Sequence, residues 1–417
     1  MTQTIVPGKR TGTVSIPSSK SVAHRLLICA ALSHECSTLT LEGMSKDISA
    51  TISSLTSLGA EFENSTKNEI RISPVKGGTE VCSLCCGESG STLRFMMPVA
   101  AALGKKATFL MSGLLPSRHH DVLINVLGQH GVRVEKIGDT LVSEGKLTAG
   151  TFEVPGNISS QYISGLLFAL PLLEGDSIID ISGKIESSAY IGMTEDAIKA
   201  FGITFRKEGN KYFIPGRQKY SAPSHFTAEK DWSNAAFFLC MGAMSDKGIT
   251  LTGMNMSSKQ GDKKIADILK QFGADIEIAD GDIHIKKGDL KGITVDAADI
   301  PDLVPTISAL AQGASGTTRI INAQRLRFKE SDRLKTTAHM LNALGGAVTE
   351  TEDGLIIEGK PELGAGTIDS ANDHRIAMSA AVASCICTGD VIIPGSECVE
   401  KSYPDFWRDF YSLEVMQ

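Results

Sequence analysis

The sequence predicts an α/β protein of two globules, each built from three related units of about 70 residues, a length fixed by internal repetition. Three observations predict it. The chain has 417 residues, which suits two domains of roughly 200 better than one. Short strand-like runs ending in glycine recur at one constant interval. Between them the same order of helical and alternating apolar patterns returns each time.

The glycine marker organises the rest. Gly43 follows the run 38–41, Gly113 follows 107–111, Gly183 follows 177–181 and Gly253 follows 248–251. All three steps are of equal length, a further equal step reaches Ala323 after 318–321, and a last copy is Gly395 after 390–394. A second series, Gly59, Gly131, Gly202, Gly273 and Gly345, runs alongside at spacings of 72, 71, 71 and 72. Six such units account for the chain, and their period exceeds the roughly 20–50 residues of solenoid repeats.

Each unit opens with a Ser-, Asp- or Pro-led helix, expected over 19–32, 89–103, 159–173, 233–244, 301–312 and 373–385. A strand and its glycine follow. A second amphipathic helix comes next, as over 194–201, 263–272 and 332–344, with Ile265, Ile268, Leu269 and Phe272 at helical spacing. Two short strands close the unit, as at 274–278 and 282–285, where Asp282-Ile283-His284-Ile285 alternates. The charged, turn-prone stretch 215–230 is where the chain is expected to cross between globules.

Composition narrows the function. Lys+Arg 41 against Asp+Glu 48 gives a net charge of −7, which argues against a general nucleic-acid binder but allows an anionic small substrate in a locally cationic site. Residues 1–10 are polar, without the apolar core of a signal peptide, and no run of eighteen apolar residues is present, so neither export nor a membrane span is expected. The nine cysteines are expected to be reduced, mostly buried thiols of a cytoplasmic chain. Cys82, Cys85 and Cys86 lack a second pair at metal spacing, Cys385 and Cys387 fall in the Ala-rich helix, and the adjacent His119 and His120 point apart, so no metal site is expected.

Several helix starts carry chemistry. PSSKSVAHR (17–25) puts three hydroxyl residues, Lys20 and Arg25 at the start of the first helix, where backbone N–H groups and the dipole favour an anion. Ordinary capping with solvated cations explains the same residues locally. The location recurs as GESGSTLR (87–94), GNISSQ (156–161) and DWSN (231–234), and the recurrence favours a shared anion site. None of these loops fits a nucleotide-binding glycine motif. RLRFKESDRL (325–334) is the densest charge cluster, with Glu330 and Arg333 at i,i+3 spacing, and reads equally as a salt-bridged helix start capped by Ser331 or Asp332. NDHR (372–375) and Lys401 before SYPD add further titratable groups.

Taken together, PSSKSVAHR, ESGSTLR, GNISSQY, the Ile300-Pro301-Asp302 helix start, RLRFKESDRL, NDHRIAM and EKSYPDFW resemble, in order from residue 17 to residue 407, the 5-enolpyruvylshikimate-3-phosphate synthase family. The resemblance implies an enolpyruvyl-transferase-like fold: two globules of three βαβαββ units, one formed by 1–19 with 228–417 and the other by 20–227, with the active site in the cleft between them. It implies transfer of the carboxyvinyl group of phosphoenolpyruvate to the 5-hydroxyl of shikimate 3-phosphate, by addition then elimination, with phosphate released and no metal or other cofactor. A monomer is expected, with these two small molecules as its partners.

By the same resemblance, Lys20, Ser21, Arg25, Ser159, Ser160, Gln161, Ser187, Asp302 and Lys329 hold shikimate 3-phosphate. Lys20, Gly90, Arg118, Gln161, Arg333, Arg375 and Lys401 hold phosphoenolpyruvate. Asp302 is the expected base for the 5-hydroxyl, and Glu330, with Lys20, handles the proton at the methylene carbon. Glu88, Arg325 and the pair His119-His120 depart from the family's commonest residues. UDP-N-acetylglucosamine enolpyruvyltransferase is the nearest rival, but its loop cysteine has no counterpart in 111–121. A non-catalytic repeat scaffold would have lost the charged residues that this chain keeps.

Overall fold

The computed structural model describes residues 1–77 and 80–416. The chain divides into two compact units, Met1–Ser19 with Glu229–Gln417, and Lys20–Ala228. Each unit has its own buried apolar core.

Each unit contains three sheets of one plan: a parallel pair, then antiparallel neighbours. In the unit Lys20–Ala228, His225–Thr227 lies parallel to Ser37–Thr40, which is followed by Glu69–Ser73 and Glu61–Thr66. Val81–Gly87 lies parallel to Lys106–Met111, followed by Thr140–Gly145 and Val132–Ile137. Thr151–Pro155 lies parallel to Ser177–Ser182, followed by Lys211–Ile214 and Arg206–Glu208. The stretch 215–230 therefore holds a strand as well as turns.

The other unit repeats the plan with its ends exchanged. Arg10–Ser15 lies parallel to Ile249–Thr252, followed by Asp282–Lys286 and Asp275–Ala279, with Glu414–Val415 on the outer edge. Thr294–Asp296 lies parallel to Thr317–Ile321, followed by Leu355–Glu358 and Ala347–Glu350. Gly366–Thr367 lies parallel to Val391–Pro394, and Thr2–Ile5 takes the antiparallel place beside it.

The recurring glycines have one backbone cause. Gly43, Gly113, Gly183, Gly253 and Gly395 all have left-handed φ, between +57° and +84°, as the strand turns toward the second helix. In the fifth repeat the left-handed residue is Asn322 (φ +58°), not Ala323, because a side chain without a polar end tolerates this conformation poorly. The second series, from Gly59 to Gly345, takes φ between +79° and +108° just past helix C-termini, where an L side chain would clash.

The first helices are Lys20–Ala31, Gly90–Ala102, Ser160–Ala169, Trp232–Ala243, Val304–Gln312 and His374–Ala383. Several are apolar all round and buried on nearly every side, as helices in the middle of a domain must be. Three ends differ from expectation. Residues 170–172 form a 3₁₀ turn around Pro171, and the helix expected to 385 ends at Ala383, leaving Cys385 in a 3₁₀ turn and Cys387 beyond it. Pro301–Leu303 is also 3₁₀: Pro305 has no amide to bond the carbonyl of Pro301, so that carbonyl accepts from Val304 N instead.

Candidate functional site

Asp302 stands in that 3₁₀ turn, among cations delivered by the second helix start of its own repeat and by the first helix of the next. Arg333 Nη1 donates to its Oδ1 at 2.7 Å, Arg375 Nη2 lies 3.4 Å from Oδ2, and Lys329 Nζ lies 3.7 Å from Oδ1. Burial alone would raise the Asp302 carboxyl, but Arg375, Lys329 and Arg333 together hold it well below the usual carboxylate range. It is ionised at any working pH.

Arg333 is the hub of this cluster and is only 1 % exposed. Its Nε donates to Asp373 Oδ2 at 2.8 Å, its Nη2 reaches Asp373 Oδ1 at 3.2 Å, and the same Nη2 lies 2.7 Å from Glu330 Oε2. One guanidinium thus balances three carboxylates. Asp332 caps the following helix through Lys335 N, which fixes where Arg333 leaves the backbone, while 324–328 forms a separate 3₁₀ turn. Asp373 likewise caps the next first helix through Arg375 N. Its neighbours Ala371 and Asn372 both have left-handed φ, +50° and +54°, and Lys401 Nζ donates to the Asn372 carbonyl at 2.6 Å. Two consecutive left-handed non-glycine residues are strained, and the buried lysine holds them.

Asp262 was not singled out by its sequence. It is buried, accepts from Ser233 Oγ and feels the charges of Asp302 and Arg375. Burial, then the charge of Asp302, raise its carboxyl to about 7, against the pull of Arg375.

The unit Lys20–Ala228 gathers a second set. Ser89 caps the helix Gly90–Ala102 through Thr92 N, and Ser159 caps Ser160–Ala169 through Gln161 N. The two helix starts are tied by Gln161, whose Oε1 accepts from Arg94 Nη1 at 2.6 Å and whose Nε2 donates to Ser91 Oγ at 2.8 Å. A Cβ placed on Gly90 would stand 3.0 Å from Arg118 Nη1 and 3.4 Å from Arg94 Nη1, so two guanidinium groups converge on the bare Gly90 backbone. Arg94 also lies 5.6 Å over the Tyr162 ring, and Tyr162 OH donates to the His119 carbonyl at 2.6 Å, pinning the segment that carries Arg118. Arg94 was not among the expected ligands, yet its i+4 spacing from Gly90 puts both on one helix face.

Lys20 Nζ forms a 2.8 Å ion pair with Asp47, both side chains 16 % exposed. Arg25 turns the other way. It is buried, with Nη1 donating to the Ser21 carbonyl at 2.6 Å, Nη2 to the Tyr190 carbonyl at 2.8 Å and Nε to Thr194 Oγ1 at 2.8 Å. Burial lowers its guanidinium to about 10. Ser187 precedes the helix Ser188–Ala200 in a left-handed conformation (φ +53°), and Ser160 is buried in the first turn of its helix. His120 is buried with Nε2 2.9 Å from the Leu115 carbonyl, and burial lowers it to about 4. Cys82 and Cys86 face the core while Cys85 faces outward, so the strand's alternation separates the CxxC pair. No helix among the described residues is long and apolar enough to cross a membrane.

Comparison with known proteins agrees with these motifs. The family model of EPSP synthase (3-phosphoshikimate 1-carboxyvinyltransferase) matches residues 6–410. Proteins named 3-phosphoshikimate 1-carboxyvinyltransferase are similar over nearly their whole length: that of Clostridium novyi is 43% identical, covering 97% of this chain and 96% of the relative, and that of Clostridium kluyveri is 44% identical, covering 98% and 96%. Among solved structures, EPSP synthase from Acinetobacter baumannii superposes with a TM-score of 0.82 at 28% identity over 100% of both chains. The enolpyruvyl transferase NikO from Streptomyces tendae shares the fold at 14% identity, with a TM-score of 0.80 over 100% of this chain and 99% of that one. The chain belongs to the EPSP synthase (3-phosphoshikimate 1-carboxyvinyltransferase) family.

Proposed function

We propose that this chain transfers the carboxyvinyl group of phosphoenolpyruvate to the 5-hydroxyl of shikimate 3-phosphate and releases inorganic phosphate, a step of aromatic amino-acid biosynthesis. Family membership supports the reaction. The observation that carries it to particular residues is the concentration of cations around Asp302 and around Gly90 in a chain of net charge −7. Each of the two substrates brings one phosphate and one carboxylate.

In this reading Arg94, Arg118 and the Gly90 backbone grip phosphoenolpyruvate, joined by Gln161, Lys20, Arg375 and Lys401. Lys20, Ser21, Ser159, Ser160, Gln161, Ser187 and Lys329 hold shikimate 3-phosphate. Arg25 and Arg333 act chiefly by positioning, Arg25 through Ser21 and Arg333 through the carboxylates it balances.

The addition step forms a bond from the 5-oxygen to C2 of phosphoenolpyruvate. The 5-hydroxyl proton passes to Asp302, and the methylene carbon C3 takes a proton from Glu330 or Lys20. Elimination then breaks the C2–O bond to phosphate while the same group takes a proton back from C3. Asp302 is a weak base while three cations crowd it. Substrate anions that draw off Lys329 and Arg375 raise its basicity when the 5-hydroxyl arrives. The free thiols fit a cytoplasmic enzyme.

Phosphate release with phosphoenolpyruvate plus shikimate 3-phosphate, and with UDP-N-acetylglucosamine as the control acceptor, tests the reading. Turnover only with the second acceptor would overturn it.

A further inference from the structure

A chain of buried side chains runs through the unit Lys20–Ala228 from an unused histidine to the Gly90 helix start. His24 Nδ1 lies 2.7 Å from Thr51 Oγ1, Thr51 Oγ1 lies 2.7 Å from Thr92 Oγ1, and Thr92 Oγ1 donates to Ser89 Oγ at 2.8 Å. All four residues are at most 1 % exposed. They come from three separate helices and the cap of one of them.

The direction of the chain follows from its last link. Thr92 spends its one hydroxyl proton on Ser89, so it accepts from Thr51, and Thr51, having given its proton, accepts from His24. That requires the Nδ1–H tautomer. The other ring nitrogen, Nε2, is buried with no hydrogen-bond partner among the described residues, and the Phe95 ring packs edge-on to the imidazole with the two centroids 6.5 Å apart. A bare lone pair is the cheaper group to leave there than an N–H. Burial, with Lys20 and Arg25 nearby, holds the imidazole well below its usual range, so the ring is neutral.

At the other end, Ser89 Oγ already accepts from Thr92 N and Thr92 Oγ1. Among the described residues no group accepts its own proton, which leaves it for an acceptor outside the chain. We infer that His24, Thr51 and Thr92 are positioning residues: the relay polarises Ser89 as a hydrogen-bond donor at the start of the Gly90 helix, toward the anion bound there. The anion's identity rests on the proposed reaction, but the relay's direction does not.

Two measurements separate these. Nitrogen-15 NMR of histidine-labelled wild-type protein, with the His24 signals assigned by their loss in His24→Asn, is expected to show the Nδ1–H tautomer. The Nε2–H tautomer would reverse the relay and overturn it, whatever the enzyme's substrate. Steady-state kinetics then read the consequence. Thr51→Val keeps the shape and removes the link, and is expected to raise KM for phosphoenolpyruvate about 3- to 10-fold. KM for shikimate 3-phosphate and kcat should stay within about twofold, and Thr51→Ser should restore the wild-type value. A folded Thr51→Val protein with unchanged KM for phosphoenolpyruvate, or with both KM values raised alike, would refute the positioning role. Absence of phosphate release in the wild type would instead sink the proposed reaction, and the tautomer would still decide the relay.

Discussion

Arg333 Nη1 and Asp302 Oδ1 are joined by a 2.7 Å hydrogen bond, between a guanidinium that is 1 % exposed and a carboxylate set in the 3₁₀ turn that opens the same repeat. The proposed base is thereby oriented before any substrate arrives, but its basicity is suppressed. Asp302→Asn keeps the shape and removes the basicity. It is expected to lower kcat at least about 100-fold while shikimate 3-phosphate binding, read by calorimetry, is kept. A folded variant retaining more than about a tenth of wild-type kcat would show that Glu330 or Lys20 takes the proton.

Arg333→Ala is expected to act mainly on stability. It strands Asp302, Glu330 and Asp373 in a buried place, and removing one partner of a buried ion pair costs about 3–5 kcal/mol. Thermal unfolding reads this as a large fall in Tm. A Tm unchanged within a degree or two, with only KM for phosphoenolpyruvate raised, would make Arg333 a direct ligand instead.

Gly90→Ala places a methyl against the side-chain ends of Arg118 and Arg94, which swing aside, so the fold is expected to survive. KM for phosphoenolpyruvate should rise several-fold and KM for shikimate 3-phosphate should not move. Arg118→Ala should do the same more strongly, about 10- to 100-fold, the worth of a charged hydrogen bond at roughly 1.5–3 kcal/mol. Equal effects on both substrates would reassign the Gly90 site.

Asp262 gives a pH signature of the opposite sign to ordinary acid unfolding. Its carboxyl sits near 7 folded, raised from the ordinary value of about 4. The folded state therefore binds the extra proton, and this contribution is complete below about pH 4 and lost as pH rises through 7. Asp262→Asn, always neutral, should lose less stability than wild type between pH 5 and pH 8. Parallel Tm profiles for the two proteins would count against the raised value. Asp302 runs the other way: its depressed carboxyl stabilises above about pH 4, and that contribution disappears only as pH falls through its lower folded value.

The repeat was legible because a left-handed backbone position almost demands glycine, so a structural period becomes a compositional one. It failed at Asn322, the one position of the strand-end series where a residue other than glycine takes that conformation, so the equal step lands one residue late on Ala323. Glu330 and Arg333 could be paired from their spacing, but Asp302 and Asp373 could not, because their contacts with Arg333 join residues 31 and 40 positions away. Arg25 was legible as a cation at a helix start. Its hydrogen bonds to Tyr190 and Thr194 were not, since they join residues 165 and 169 positions away. Asp262 was missed because its raised carboxyl depends chiefly on burial and then on Asp302, a neighbour supplied by a different repeat.

The exchanged strands have a consequence for synthesis. Every sheet of the unit Lys20–Ala228 is complete in sequence once Thr227 has left the ribosome, because its last strand, His225–Thr227, pairs back to Ser37–Thr40. The other unit cannot finish so early. Thr2–Ile5 is made first but waits for Val391–Pro394, and Arg10–Ser15 waits for Ile249–Thr252 on one side and Glu414–Val415 on the other. A nascent chain thus carries one finished globule while its first two strands still trail unpaired edges, and chain closure across nearly the full length is the slowest contact to be made.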